Sequence, residues 1–454
     1  MAFDQTPPAP QNLLAARRDA AVRAALAQGL VSTAEPIAAF LDADAIREQA
    51  GALRAAFAEV AAPRQKVLHT FAVKAASLVP VLRLLAAEGI GCEVASPGEL
   101  ALARAAGVAP SRTVLDSPAK TRAELREALG MGIAVNADNQ EELGRLDALM
   151  ADGMSSSPIG IRVNPQLGSG AIDAMSTATS TSKFGVALRD PGAREWVVRT
   201  CLDRPWLTSL HTHTGSQGIP LELMAAGVRE LHALAEEINT AAGRRQITTL
   251  DIGGGLPVNF GSDEVTPAYA DYARLLRAEV PGLFDGRYTL VTEFGRSLLA
   301  KAGLVLARVE YAKSAGGRPI AVTHAGVQVA VRTVFAPDSW PVRVAAYDGS
   351  GAPKTGEAIA QDVAGPCCFA GDLIARDREL PLLAAGDHVA MLDTGAYYFS
   401  NPFGYNSLPR PGVYGFSADP STGDVRFAML RRPQTVAEIV AESGGAYGDA
   451  LMGL

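Results

Sequence analysis

The chain has 454 residues, of which 48% are hydrophobic and 20% charged, and a formal net charge of −7. So long a chain exceeds one ordinary core and predicts two domains of a soluble globular protein. The acidic balance excludes a general attraction to nucleic acid or anionic membrane, and the four cysteines (Cys92, Cys201, Cys367, Cys368) have neither a disulfide framework nor a zinc-ligand spacing, which points to a small-molecule enzyme of the reducing cytoplasm.

Residues 1–30 begin polar and Pro-rich and then turn into an amphipathic helix. They lack the basic start, apolar centre and cleavage site of a signal peptide, and no window along the chain has the length and apolarity of a spanning helix. They read as a helical extension. Pro36–Leu41 is a β-prone run. From about residue 46 to 300, a short apolar run, a few turn residues and a helix-period segment then recur. The expected strands are Val67–Val73, Cys92–Ala95, Thr113–Leu115, Ala134–Asn136, Ile159–Val163, Leu207–His213, Thr249–Ile252 and Thr289–Glu293. Ala- and Leu-rich helices lie between them, among them Pro97–Ala106, Ala123–Met131, Gln140–Met150 and Leu221–Ala241.

Eight such units in about 250 residues have the size of a (β/α)₈ TIM barrel. An open doubly wound sheet has the same periodicity, because periodicity does not report closure. After Arg296 the texture changes to short, β-branched, turn-bounded segments: Gly303–Tyr311, Pro319–Val331, Pro341–Tyr347 and His388–Leu392. The expected architecture is therefore α/β, a barrel at 46–300 inserted into a mostly β domain made of 31–45 and 301–454. Gln166–Ser182, rich in Ser, Thr and Gly, falls at the catalytic end of the barrel and reads as a lid or as a disordered surface loop.

Polar motifs gather at the C-terminal ends of the expected strands, the catalytic face of such a barrel. Lys74 ends the first, after an apolar run, in a chain with only 7 Lys against 34 Arg. A sheltered amine loses its proton readily and suits Schiff-base chemistry with an aldehyde, although a strand-end Lys can also simply snorkel to water. His211 and His213 alternate along the sixth strand and so share a face; each also fits a satisfied core histidine. Asp251-Ile-Gly-Gly-Gly255 ends the seventh strand, and three glycines let backbone N–H groups approach an anion, or merely make a tight turn. Glu293-Phe-Gly-Arg296 ends the eighth. Phosphate sites in these barrels commonly form after strands seven and eight. A Lys on the first strand with an anion cradle on the last two suggests a phosphate-bearing aldehyde, pyridoxal 5′-phosphate (PLP).

The chain resembles the alanine-racemase-fold (type III) PLP-dependent decarboxylases, the group that contains diaminopimelate and ornithine decarboxylases. The likeness runs from about residue 34 to 430 through FAVKAAS (71–77), CEVASPGEL (92–100), VNADNQEEL (135–143), RVNP (162–165), KFG (183–185), LHTHTGSQ (210–217), DIGGG (251–255), EFGR (293–296), GPCCFAGD (365–372) and DTGAYYFSNPFGYN (393–406). The resemblance implies that Lys74 carries the cofactor as a Schiff base, that His213 stacks on its ring, and that Glu293 pairs with the ring nitrogen. It implies a phosphate site of Ser216, Gly253, Gly254, Gly255, Gly295, Arg296 and Tyr397. Racemases of this fold typically place a cation where Glu293 stands, so Glu293 favours decarboxylation over racemisation. Cys368, with Cys367 one residue away in register, matches the cysteine implicated in protonating the carbanion from the second subunit. Lys183 and Asp372 match a pair that bridges subunits, so a homodimer with composite sites is implied.

The substrate residues depart from the family pattern. Relatives acting on diamino acids place an acid directly after the catalytic Cys; here it is Phe369. Ala325 stands where ornithine-type enzymes carry an Asp, and Gly412 follows Pro411 where a further Glu is expected in diaminopimelate-type enzymes. Arg296 and Arg332 match residues that hold a distal carboxylate, which Arg recognises bidentately. A buried ammonium without a counter-ion is strongly unfavourable. The expectation is an amino-acid decarboxylase whose substrate ends in a carboxylate or an acylated amine, for example a siderophore-type citryl conjugate. The alternatives are a decarboxylase of lysine, ornithine or meso-diaminopimelate, and a racemase on the same fold.

Overall fold

Eight parallel strands close on themselves in the computed structural model, which describes residues 10–151, 155–172, 175–419 and 422–454. The strands are Val67–Ala72, Gly91–Val94, Thr113–Leu115, Ala134–Ala137, Ile159–Asn164, Leu207–His211, Thr249–Asp251 and Thr289–Phe294. The last pairs with the first, Glu293 opposite Thr70 and Phe294 opposite Phe71. That pairing turns the sheet into a barrel and decides against an open sheet. A two-residue strand, Val186–Ala187, adds to the edge of the fifth. No helix among the described residues is long and apolar enough to cross a membrane.

Local chemistry sets the helix limits. Ser96 accepts the Glu99 N–H and Pro97 fills the first turn of Pro97–Ala105. Arg122–Met131 is bracketed by a Thr121–Glu124 capping box and by Gly132 at φ 76°. The sixth strand ends at His211, two residues earlier than its alternation suggests, so His213 lies in the following loop.

The chain separates into two compact units: Ile46–Asn259 with Val265–Leu299, which is the barrel, and Met1–Ala45, Phe260–Glu264 and Ala300–Leu454. The second unit is built on a mixed sheet in the order Leu373–Pro381, Ala358–Ala364, Arg318–Thr323, Gly303–Ala315, Ile37–Asp42, Gly412–Ala418, Val425–Arg431. Helix Pro10–Ala27 is part of its core: Ala21, Val22 and Ala25 pack with Phe40, Leu306 and Phe416. The Arg17 guanidinium lies 2.6 Å from buried Asp42. The Pro-rich start of the expected extension, residues 1–9, lies outside the described residues.

The strand expected over Pro319–Val331 is corrected to a strand, Arg318–Thr323, followed by a helix, Val327–Phe335. β-Branched residues there mimic strand propensity, but a tertiary contact wins. Asp372 captures the Val327 N–H at 2.6 Å, and a Cβ on Gly326 would lie 2.4 Å from the same carboxylate.

Candidate active site

Lys74 sits in a single 3₁₀ turn, Val73–Ala75, directly after the first barrel strand. Its Nζ donates to Glu93 Oε2 at 2.7 Å; the Lys74 side chain is 47% exposed, that of Glu93 only 1%. Burial lifts the Glu93 carboxyl to about 7, with Lys74 opposing the rise and Glu293 and Asp116 adding to it. A carboxyl poised at neutrality beside a reachable amine can take or return that amine's proton.

A buried charge network lies next to this pair. Arg162 Nη1 donates to Asp116 Oδ2 at 2.9 Å. His211 lies between two carboxylates, Nδ1 3.5 Å from Asp116 Oδ1 and Nε2 3.4 Å from Glu293 Oε2. Asn136 Nδ2 reaches across the barrel to Asp251 Oδ2 at 3.3 Å. Burial opposes ionisation of Asp116, yet Arg162, His211 and Lys120 hold its carboxyl well below the usual range. Burial and the neighbouring Glu293 drive Asp251 well above it. Glu293 stays below its ordinary value against burial because of His211. His211, His213 and Glu293 bring donor atoms within 4.8 Å of one another, but Asp116, Glu293 and Asp251 raise the His211 ring to about 9 against burial, and an imidazole that holds its proton is a poor metal ligand.

The loops after strands six, seven and eight press together. Gly254 N–H donates to His213 Nδ1 at 3.1 Å, which fixes the ring with its proton on Nε2. Burial, reinforced by Arg162, pulls His213 down to about 3, so it is neutral. Glycine is needed here for packing: a Cβ on Gly254 would lie 2.1 Å from the Glu293 carbonyl oxygen, and one on Gly255, at φ 95°, 1.8 Å from that of Gly215. Gly254→Ala is expected to cost about 3 kcal/mol or more, because two backbones must part; a denaturant midpoint unchanged from wild type would contradict this packing.

Segment 166–182, expected as a lid or disordered loop, is stitched down where it is described. Ala171 N–H donates to Gly218 O at 2.8 Å, Thr177 N–H to Thr214 O at 3.1 Å, and Ser216 N–H to Met175 O at 3.0 Å. The Thr177 hydroxyl bonds the His213 carbonyl. Ser216 is thereby anchored beside His213. Gly295 and Arg296, at the end of the eighth strand, are both buried. Lys183 is exposed, its Nζ 5.0 Å from the Phe184 ring.

In the other unit, Cys368 is exposed and Cys367 buried. Phe369 stacks on Phe335 (5.8 Å between ring centroids, 7° between planes) and meets Tyr405 edge-on, while Phe403 meets Phe335 edge-on and stacks on Tyr405. Arg332 lies over Tyr397 and Trp340, at 4.7 and 5.1 Å, with its buried Nη1 lacking a hydrogen-bond partner among the described residues. Tyr397 itself adopts φ 65°, a costly conformation for a non-glycine residue. Asp372 is buried, and its oxygens take the Val327 and Cys367 N–H groups at 2.6 and 2.7 Å. These contacts make it an anchor of its own unit's loops, in addition to the intersubunit role that the resemblance implies.

Residues 44–300 match the family model described as pyridoxal-dependent decarboxylase, pyridoxal binding domain. The chain belongs to this family. The chain is 34% identical over 376 residues to the diaminopimelate decarboxylase of Pseudomonas aeruginosa, covering 82% of this chain and 86% of that one. It is 31% identical over 368 residues to that of Aquifex aeolicus, covering 80% and 83%. The crystal structure of Helicobacter pylori diaminopimelate decarboxylase complexed with L-lysine superposes with a TM-score of 0.78 at 25% identity, over 93% of this chain and 99% of that one. The protein is thus a PLP-dependent carboxy-lyase acting on an amino acid.

Three features of this decarboxylase's barrel fit pyridoxal phosphate. Glu293 Oε1 is buried with no hydrogen-bond partner among the described residues, which leaves it to meet a ring nitrogen. Lys74 carries an amine that is both reachable and paired with a carboxyl near neutrality. The His213 ring is locked by Gly254. Reading the sequence missed Glu93, Asp116, Arg162 and Asp251 as site members, although each ends or closely follows an apolar strand run, the same signal that singled out Lys74.

Proposed function

We propose that this enzyme removes the α-carboxylate of an amino acid whose distal end is a carboxylate or an acylated, uncharged amine. One observation carries the proposal: Phe369, directly after Cys368, is committed to a four-ring aromatic cluster, while Arg332 in the same unit has a guanidinium Nη1 with no hydrogen-bond partner among the described residues. Burial pulls the Arg332 pKa below its ordinary value, as expected of a cation short of an anion. Aromatic faces accept a planar or apolar group, and the fork of Arg332 suits a carboxylate. A free distal ammonium finds neither an acid at 369 nor one at 325, where buried Ala325 stands.

Bound pyridoxal phosphate supplies the electron sink for the pair left on Cα when CO₂ departs. In the proposed division of labour, Lys74 holds the cofactor covalently and Glu93 manages the proton on its amine. Glu293, kept ionised, binds the ring nitrogen, and His213 braces the ring face. Ser216, Gly253, Gly254, Gly255, Gly295, Arg296 and Tyr397 hold the phosphate. Arg332 receives the distal group, a role the resemblance also implies for Arg296, and Cys368 takes the role of proton donor to Cα that the resemblance assigns to a second subunit's cysteine. The homodimer implied by the resemblance, through Lys183 and Asp372, belongs to the proposal and is tested by molecular mass in solution.

The names of the relatives favour meso-diaminopimelate, whose distal end carries a carboxylate for Arg332 but also an ammonium that neither Phe369 nor Ala325 can pair; the citryl-conjugate candidate rests on Phe369 and Arg332 alone. The deciding experiment is CO₂ release across lysine, ornithine, arginine, glutamate, meso-diaminopimelate and N-acylated diaminopropionate and diaminobutyrate. Turnover is expected only with carboxylate-ended or acylated members, and Phe369→Glu is expected to raise turnover of lysine at their expense. Brisk wild-type turnover of lysine or ornithine would overturn the specificity reading.

A further inference from the structure

We propose that His211 is a positioning residue of this decarboxylase, a permanent imidazolium that ties Asp116 to Glu293 and holds Glu293 ionised. The catalytic part of this proposal rests on the reading that Glu293 meets the cofactor's ring nitrogen; the charge on His211 does not.

The geometry leaves little choice of protonation state. The His211 side chain is fully buried, and each ring nitrogen faces a carboxylate oxygen at ion-pair distance, Asp116 at 3.5 Å and Glu293 at 3.4 Å, without closing a hydrogen bond among the described residues. A neutral ring would turn a lone pair towards one of them. Three carboxyls face the ring: Asp116 from the end of the third strand, Glu293 from the eighth and Asp251 from the seventh. The cations nearby are Arg162, opposite His211 in the adjoining strand, Lys120 and Lys74, while His213 stays neutral.

The charges then close. Arg162 balances Asp116 at 2.9 Å. Asp251, its carboxyl raised, keeps its proton and stays neutral. Glu293 is left with His211 as its counter-ion. Burial alone would strip the His211 proton, but Asp116, Glu293 and Asp251 outweigh it and lift the ring to about 9. Without that cation, Glu293 would sit in a fully buried site beside Asp116 and Asp251 and would take up a proton itself. A protonated Glu293 no longer favours a protonated ring nitrogen, and the ring's capacity to accept electrons drops.

The linkage has a definite sign. A histidine raised from 6.5 to about 9 contributes stability that is fully present below pH 6.5 and is lost as pH rises through 9.

The first test needs no variant. ¹⁵N-histidine NMR of the wild-type protein, with and without cofactor, should show protons on both His211 nitrogens at pH 7 and titration only near pH 9. A single protonated nitrogen at pH 7 overturns the proposal, whether or not any variant folds. The second compares His211→Gln with Glu293→Gln, both loaded with PLP. His211→Gln is expected to lower kcat by about tenfold to a hundredfold with little change in KM, the usual cost of losing a group that orients a ligand. It should also move the cofactor's visible absorbance towards that of Glu293→Gln. If Glu293→Gln is impaired while His211→Gln keeps wild-type kcat and absorbance, His211 does not position Glu293. If Glu293→Gln is itself fully active, the ring-nitrogen reading fails and takes the catalytic role of His211 with it, and the NMR result alone decides the charge.

Discussion

Lys74→Ala is expected to fold, to retain no cofactor that borohydride can trap, and to lose roughly a thousandfold or more in kcat, the scale seen when the covalent residue of an active site is removed. Folding should survive because Lys74 is about half exposed and the buried group its ammonium meets, Glu93, can be left neutral. That carboxyl already sits at about 7, with Lys74 holding it down against burial. With the ammonium gone it rises further and stays protonated at neutral pH, so no bare charge is stranded in the barrel. Lys74→Arg separates the two duties of the residue. It keeps the cation beside Glu93 but offers no amine for an aldehyde, so it should be as inactive as the alanine variant while matching wild type in stability. Mass spectrometry after borohydride treatment reads the covalent link directly. A trapped cofactor in Lys74→Ala would move the anchor to another residue.

The barrel was legible because its strands are short apolar runs separated by well-marked helix signals: Ser96-Pro97, the Thr121–Glu124 box and Gly132 each act locally. Closure was not legible, since it depends on Thr289–Phe294 finding Val67–Ala72 across more than 200 intervening residues. The same distinction runs through the site. Lys74, Glu293 and the glycines announce themselves by type and position, whereas the choice of Asp116 over Asp251 as the partner of Arg162 is made by tertiary geometry alone. That choice sets which carboxyl ionises and which keeps its proton. The glycine triplet carries a further lesson. Read as an anion cradle, it is in addition a packing device, with loops so close that a methyl group at Gly254 or Gly255 would overlap a carbonyl oxygen. Helix Val327–Phe335 was hidden for a related reason: its β-branched composition is overruled by one carboxylate, Asp372, holding the chain at its first turn.

Cys368→Ala is expected to bind cofactor as wild type does and to lose about a hundredfold to ten-thousandfold in decarboxylation, the range for removing a general acid. The structure gives physical grounds for preferring Cys368 to its neighbour. Cys367 is buried, its N–H is given to Asp372 at 2.7 Å, and burial together with that carboxylate lifts its thiol to about 11. It behaves as a small core side chain. Cys368 is exposed, while its backbone is pinned on both sides, the N–H to Asn406 Oδ1 at 2.8 Å and the carbonyl to the Tyr405 hydroxyl at 3.4 Å. A fixed main chain with a free thiol is what a proton donor requires: its position is set and its sulfur is available. Cys367→Ala should therefore lower stability slightly and leave turnover near wild type. The pair of variants is decisive because the two residues share a loop but not an environment. Loss of turnover in Cys367→Ala with full activity in Cys368→Ala would shift the proton donor by one residue, and full activity in both would pass the proton to Lys74.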